Sequence, residues 1–176
     1  MSHPPAENVE VRKVLDAAIS TIKAERYCFF ITLDESGQPQ ARLVAAASVE
    51  PDLRVWILTS PETRKVAEIN RDKRATMAFS DNKGEGYATL IGHARLVDDP
   101  VRKNSLWKLE YGAFFPGGPE GSDSVLIEFV PHRVEVMHFH LKIGIWPWNF
   151  KPAILIREGV LWETDKSQLA HLHRHA

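Results

Sequence analysis

The chain has 176 residues, a length that suits one compact domain with a substantial core. Hydrophobic residues make up 44% and charged residues 26%, ordinary globular usage that excludes extensive disorder. With 22 basic and 23 acidic side chains the formal net charge is −1, so no global field attracts a polyanion and nucleic acid is not an expected partner.

The opening "MSHPPAENVEVRK" lacks the apolar centre of a signal peptide. No stretch approaches the roughly 18 apolar residues of a membrane span. The expectation is a cytoplasmic protein with no membrane partner, residues 1–8 being flexible. The stretch "NVEVRKVLDAAISTIKAER" then places Val11, Leu15, Ala18, Ile19 and Ile22 at helical spacing, with Asn8 as N-cap. "YCFFITLD" has the content of a buried strand, and its lone cysteine, Cys28, is expected to be buried and inert. "ESGQPQ" supplies a hairpin turn, and "QARLVAAASVE" returns as the second strand.

"PDL" turns the chain into a third strand, "RVWILTS". In "SPETRKVAEINRD" Ser60 is a candidate cap and Pro61 suits the first helical position. "RATMAFSD" and "GYATLIGHARLVDD" are strands around the turn "NKGE", the second with clear alternation. "DPVRKNSLWKLEYGAFF" restores a helical period, and "VLIEFVPHRVEVMHFHL" is expected to form two strands separated at Pro131. About six strands and three helices result, in an order that points to an antiparallel sheet curled into a barrel or an α+β sandwich. The chain is expected to be one domain over residues 1–176, with a polar tail from 165; the segment "IGIWPWNFKP" suits no regular element.

One short stretch runs against expectation. In "LTSPETRK" two cations, Arg64 and Lys65, fall where a helix begins, although helix dipoles favour anions there. Supplying an anion resolves the conflict, because a helix start with adjacent basic side chains is a phosphate site. Thr59, Ser60 and Thr63 add hydroxyls nearby, and Arg42, inside the apolar run "ARLVAAAS", is costly to bury without an anionic partner. Two neighbouring strands would then direct Arg42 and the Arg64–Lys65 pair at one group. The alternative is that both cations reach into solvent and pair with Glu62, Glu68 or Asp72.

With these residues in place, "ARLVAAAS", "RVWILTSPETRKVAEINRDKRATMAFSD" and "YATLIGHARLVDD" resemble the FMN-binding split-barrel superfamily, in particular its pyridoxamine 5′-phosphate oxidase-like and general stress protein groups, over roughly residues 10 to 140. The resemblance implies a mainly β fold, a six-stranded antiparallel split β-barrel forming a homodimer, with FMN at the subunit interface. It implies that Arg42, Leu43 and Val44 line the ring and phosphate region, that Leu58 and Thr59 flank the ring system with Ser60 beside them, that Arg64 and Lys65 grip the phosphate, and that Tyr87 contacts the flavin. The expected partner is a small-molecule substrate, with FMN reduced by that substrate or by a nicotinamide cofactor. Noncatalytic flavin or haem binding in a stress response, and deazaflavin-dependent reduction, are the alternatives on the same fold.

Departures from the oxidase pattern are specific. Ala47 stands where true pyridoxamine phosphate oxidases carry a substrate-binding lysine, Met137 where relatives often place tryptophan, and "LWETDKSQLAHLHRHA" replaces their arginine-rich ending, so vitamin B6 oxidation is not the expected activity. His138 and His140 share a strand face at metal-site spacing without a third ligand, so no metal is expected. Trp107, Tyr111, Phe114 and Phe115 suit core or dimer packing. No acid–base pair or nucleophile motif stands out, and no catalytic residue is nominated.

Overall fold

The computed structural model describes residues 9–144 and 151–165. Helix α1 (Val9–Ala24) precedes the β1 (Tyr27–Leu33) and β2 (Pro39–Ala45) hairpin, the two-residue β3 (Ser48–Val49) and β4 (Val55–Thr59). Helix α2 (Arg64–Arg71), β5 (Arg74–Asp81), β6 (Gly86–Val97), α3 (Pro100–Leu106), a 3₁₀ turn at Leu109–Ala113, β7 (Val125–His138), β8 (Ala153–Glu158) and β9 (Leu161–Thr164) follow. The nine strands form one sheet that is not closed, in the order β2-β1-β5-β6-β7-β4-β3, with β8 on β7 and β9 on β8. The pairings of β1 with β2, β3 with β4, β4 with β7, β7 with β8 and β8 with β9 are antiparallel. This is the mainly β, split-barrel type of architecture expected, with nine strands in place of six.

The extra strands have identifiable origins. "AILIRE" and "LWET" pair about Gly159, which takes φ of 64°, a left-handed conformation that glycine adopts without steric cost. Val125–His138 is one continuous strand despite Pro131. The accommodation comes from Gly92 on the neighbouring strand: a Cβ there would collide with the Val130 carbonyl oxygen and come within 2.7 Å of the Pro131 Cα.

The chain divides into two compact units. The first comprises Met1–Glu25, Ala78–Leu90 and His132–Ala176 as far as these are described, and the second Arg26–Met77 and Ile91–Pro131. In the first, α1 lies against β8 and β9 and buries Val11, Val14, Leu15, Ala17, Ala18 and Ile22, the face its periodicity indicates. In the second, β1 alternates, burying Cys28, Phe30 and Thr32, and the Phe30 ring meets Phe129 edge-on at 6.4 Å between centroids.

Helix α2 starts later than its sequence suggests. Thr63, not Ser60, occupies the N-cap position, and its hydroxyl donates back to the Ser60 carbonyl at 2.9 Å instead of capping the helix. Ser60 Oγ accepts from the Glu62 N–H at 3.4 Å, so the residues before the helix form a turn. Arg64 and Lys65 are thus the first two helical residues, at an end with no side-chain cap. The third predicted helix is also split, because Trp107 is extended (φ −66°, ψ 135°) and ends α3.

Candidate functional site

In the second unit α2 crosses β1, and this crossing gathers the charged residues. Thr32 on the inner face of β1 is fully buried, and its hydroxyl donates to Oε2 of Glu68. Arg42, opposite Phe30 on β2, donates from Nη2 to the same oxygen at 2.7 Å and from Nη1 to Thr32 Oγ1. The Glu68 side chain is 3% exposed, and one turn earlier Arg64 Nε stands 3.1 Å from its other oxygen, Oε1. Lys65 is half-buried beside them. Burial pulls its ammonium below the usual lysine range, the Arg42 charge lowers it further, and Glu68 partly opposes both.

The structure therefore brings Arg42, Arg64 and Lys65 to one place, by a different route from the one anticipated. β2 and β4 are not neighbours; the sheet path separates them by four strands, and it is the packing of α2 on β1 that joins Arg42 to the helix. The residue they share is Glu68, which the sequence reading treated as a solvent-side partner. Its signal was present: Glu68 lies between Val66 and Ile69 on the buried face of α2. Thr32 was missed too, though it is the one polar side chain on the inward face of β1.

The other expected residues divide by environment. Val44 and Thr59 are buried, Leu58 and Ser60 partly so, and Leu43 is 62% exposed. Leu43 pairs across the hairpin with Phe29, which is 51% exposed, next to Tyr27, giving the outer face of β1 and β2 an uncovered apolar strip. Tyr87 belongs to the first unit, where burial and then the Glu135 charge raise its phenol above the usual tyrosine range.

The remaining constellations resolve locally. His138 is 3% exposed; its Nε2 faces Asp81 Oδ2 at 3.3 Å and its Nδ1 accepts the Leu141 N–H, while Gly84 and Gly86 press on the ring. Asp81 is held below the usual carboxylate range, first by the Gly84 N–H. Trp107 meets Tyr111 edge-on at 5.9 Å between centroids and Phe115 at a tilt at 6.4 Å, but neither they nor Phe114 are buried, so they are not core. Trp146, Trp148, Phe150 and the terminal histidines lie outside the described residues.

The family model described as pyridoxamine 5′-phosphate oxidase like matches residues 12–141. No curated protein matches at a significant level. Among solved structures, the chain is similar to a protein related to general stress protein 26 from Clostridium acetobutylicum, with 16% identity and a TM-score of 0.70 over 85% of this chain and 98% of that one. A pyridoxamine 5′-phosphate oxidase-related, FMN-binding protein from Nostoc punctiforme has 15% identity and a TM-score of 0.66 over 93% and 97%. PhzG from Burkholderia lata, solved with tetrahydrophenazine-1-carboxylic acid, has 16% identity and a TM-score of 0.66 over 92% of each chain. At these identities the likeness is one of fold.

Proposed function

Because the chain belongs to the pyridoxamine 5′-phosphate oxidase-like family, we propose that it binds FMN and acts as a flavin-dependent oxidoreductase on a small molecule, with the cofactor held at the interface of a homodimer. The convergence of Arg42, Arg64 and Lys65 at the uncapped start of α2 is the observation that carries this reading. Arg42 and Arg64 touch one carboxylate there and Lys65 stands near it, a surplus of cations that suits a phosphate monoester. Arg64 and Lys65 would hold that phosphate with Arg42, and Leu43, Val44, Leu58 and Thr59 would border the ring.

When bound, FMN supplies hydride or electron transfer, and the chain contributes binding, orientation and access. The lack of a nominated acid–base pair fits that division of labour. A second copy is supported by the exposed strip of Tyr27, Phe29 and Leu43, an uncovered sheet face of the kind that oligomers bury. No helix among the described residues is long and apolar enough to cross a membrane.

The test is reconstitution. Protein incubated with excess FMN and desalted should keep a flavin absorption band at one FMN per chain, with the chromophore identified by mass after denaturation. Colourless protein refutes the reading, and a released deazaflavin or haem replaces it. Stopped-flow reduction by nicotinamide cofactors then separates an enzyme from a carrier, which shows no turnover with any acceptor.

A further inference from the structure

We propose that Glu68 is a specificity-determining residue of this site: an internal anion, fixed by Thr32, that already engages Arg42 and Arg64, so that a doubly negative group is retained and a singly negative one is not. The assignment of FMN as the natural ligand rests on the reading above; the role of Glu68 as the built-in competitor rests on the geometry.

A carboxylate serving only to offset Arg42 would need no second cation. Arg64 is 67% exposed and has no burial to compensate, yet its Nε stands against Glu68 Oε1. That contact lacks hydrogen-bond geometry, and Oε1, although buried, has no hydrogen-bond partner. The carboxylate is hydrogen-bonded on one oxygen and at the other stands against the Arg64 guanidinium; Glu68, Arg64 and Arg71 all line a hollow of about 370 Å³. Asp34 and Glu35 border that hollow as well, but the Asp34 carboxylate is occupied by Ser36, Gln38 and Gln40.

Glu68 therefore removes one charge from the set of Arg42, Arg64 and Lys65 and leaves two. Burial lowers the Lys65 ammonium first and the Arg42 charge adds to it, which places the two cations within reach of one another. A carboxylate or phosphodiester brings one negative charge and only matches what Glu68 already provides. A phosphate monoester brings about 1.5 to 2 and neutralises the surplus.

Glu68→Gln tests this, since the amide keeps the shape and an acceptor for Arg42 while losing the charge. The probes are FMN, riboflavin, which lacks the phosphate, and inorganic phosphate. The ratio of FMN to riboflavin affinity, read by fluorescence quenching, should rise about tenfold in the variant as the competing charge disappears. The thermal upshift given by inorganic phosphate should grow as well. A purely structural role lowers both flavin affinities together, and an unchanged or smaller ratio overturns the proposal.

Should the variant fail to fold, the intact protein still decides. At pH 8 inorganic phosphate should displace FMN and dimethyl phosphate at equal ionic strength should not; equal displacement overturns the proposal. Protein that is stabilised by inorganic phosphate but ignores FMN refutes the flavin reading alone, and the Glu68 role is then judged by the phosphate upshift. Protein that responds to neither refutes both.

Discussion

The second unit contains two buried glutamates flanked by arginines, and they differ in what surrounds the arginines. Glu128 on β7 is met by Arg95 Nη2 at 2.5 Å and Arg54 Nη1 at 3.2 Å, but Arg54 is also shared with Asp52 at 3.5 Å and Glu50 at 3.9 Å. Arg102 in turn bonds Glu50, so three acids meet three arginines and nothing is left for a ligand. Glu68 instead faces Arg42 and Arg64 with Lys65 alongside, and among the described residues its carboxylate's other partner is the neutral hydroxyl of Thr32. A buried carboxylate is costly unless paired, so both sites must offset desolvation. What separates a structural cluster from a binding site is the charge left over.

The comparison breaks first on the cations themselves. Replacing Arg64 and Lys65 with alanine should weaken FMN retention by at least about 100-fold, since two charge-assisted contacts are lost even after discounting the exposure of Arg64. The melting temperature should stay within about 3 °C, because neither side chain caps or fills the core. Retention at normal affinity in an equilibrium dialysis would place the phosphate elsewhere.

Glu128 should behave in the opposite way. Glu128→Ala takes from the partly buried Arg54 the nearest of its three carboxylates while the exposed Arg95 turns to water, so stability in urea should fall by about 2 kcal/mol. The ratio of FMN to riboflavin affinity should not move. A changed ratio would show that the two carboxylates share one electrostatic function and remove the distinction drawn between them.

Gly92→Ala sharpens the same contrast through the backbone. From Gly92, three residues before Arg95, the methyl group meets Pro131 and the Val130 carbonyl, two residues beyond Glu128, backbone atoms that cannot swing away. Overpacking of this kind costs about 1 to 3 kcal/mol. The balanced pair should be disturbed and the α2 cluster spared, which riboflavin and FMN titrations of the folded variant would read as an unchanged ratio.

How much of this was legible in the chain depends on the residue. Strand alternation in β1 and β6, the amphipathic face of α1 and the conflict of Arg64 with the helix dipole are local patterns, and each can be seen in about ten residues. The strand count was not, because β8 and β9 are short and follow a proline- and tryptophan-rich stretch that masks their alternation about Gly159. Nor was the continuity of β7, which depends on Gly92, more than thirty residues away in sequence. The meeting of Arg42 with Glu68 was out of reach for a further reason: it requires α2 to pack on β1, a tertiary event that no spacing within either element encodes. Thr32 and Glu68 do carry the signal that finds such residues, a polar side chain on a face that is otherwise apolar.

The smallest effect concerns the opposite end of that same β1 face, four residues from Thr32. Cys28 is 3% exposed, its Sγ donates to the Val44 carbonyl at 3.7 Å, and burial pushes its thiol from 9.0 up to about 12. Burial is the cause of that shift, so the group stays protonated well above the usual thiol range. Between pH 9.0 and about 12 the folded chain keeps a proton that the unfolded chain has lost, so stability is full below the lower value and declines as pH rises toward the upper one. Relative to Cys28→Ala, the native protein should lose stability with a slope approaching about 1.4 kcal/mol per pH unit within that window. Parallel urea titrations of the two proteins from pH 8 to 10.5 check it, and identical slopes would mean that the thiol reaches solvent and that this face of β1 is open along its whole length.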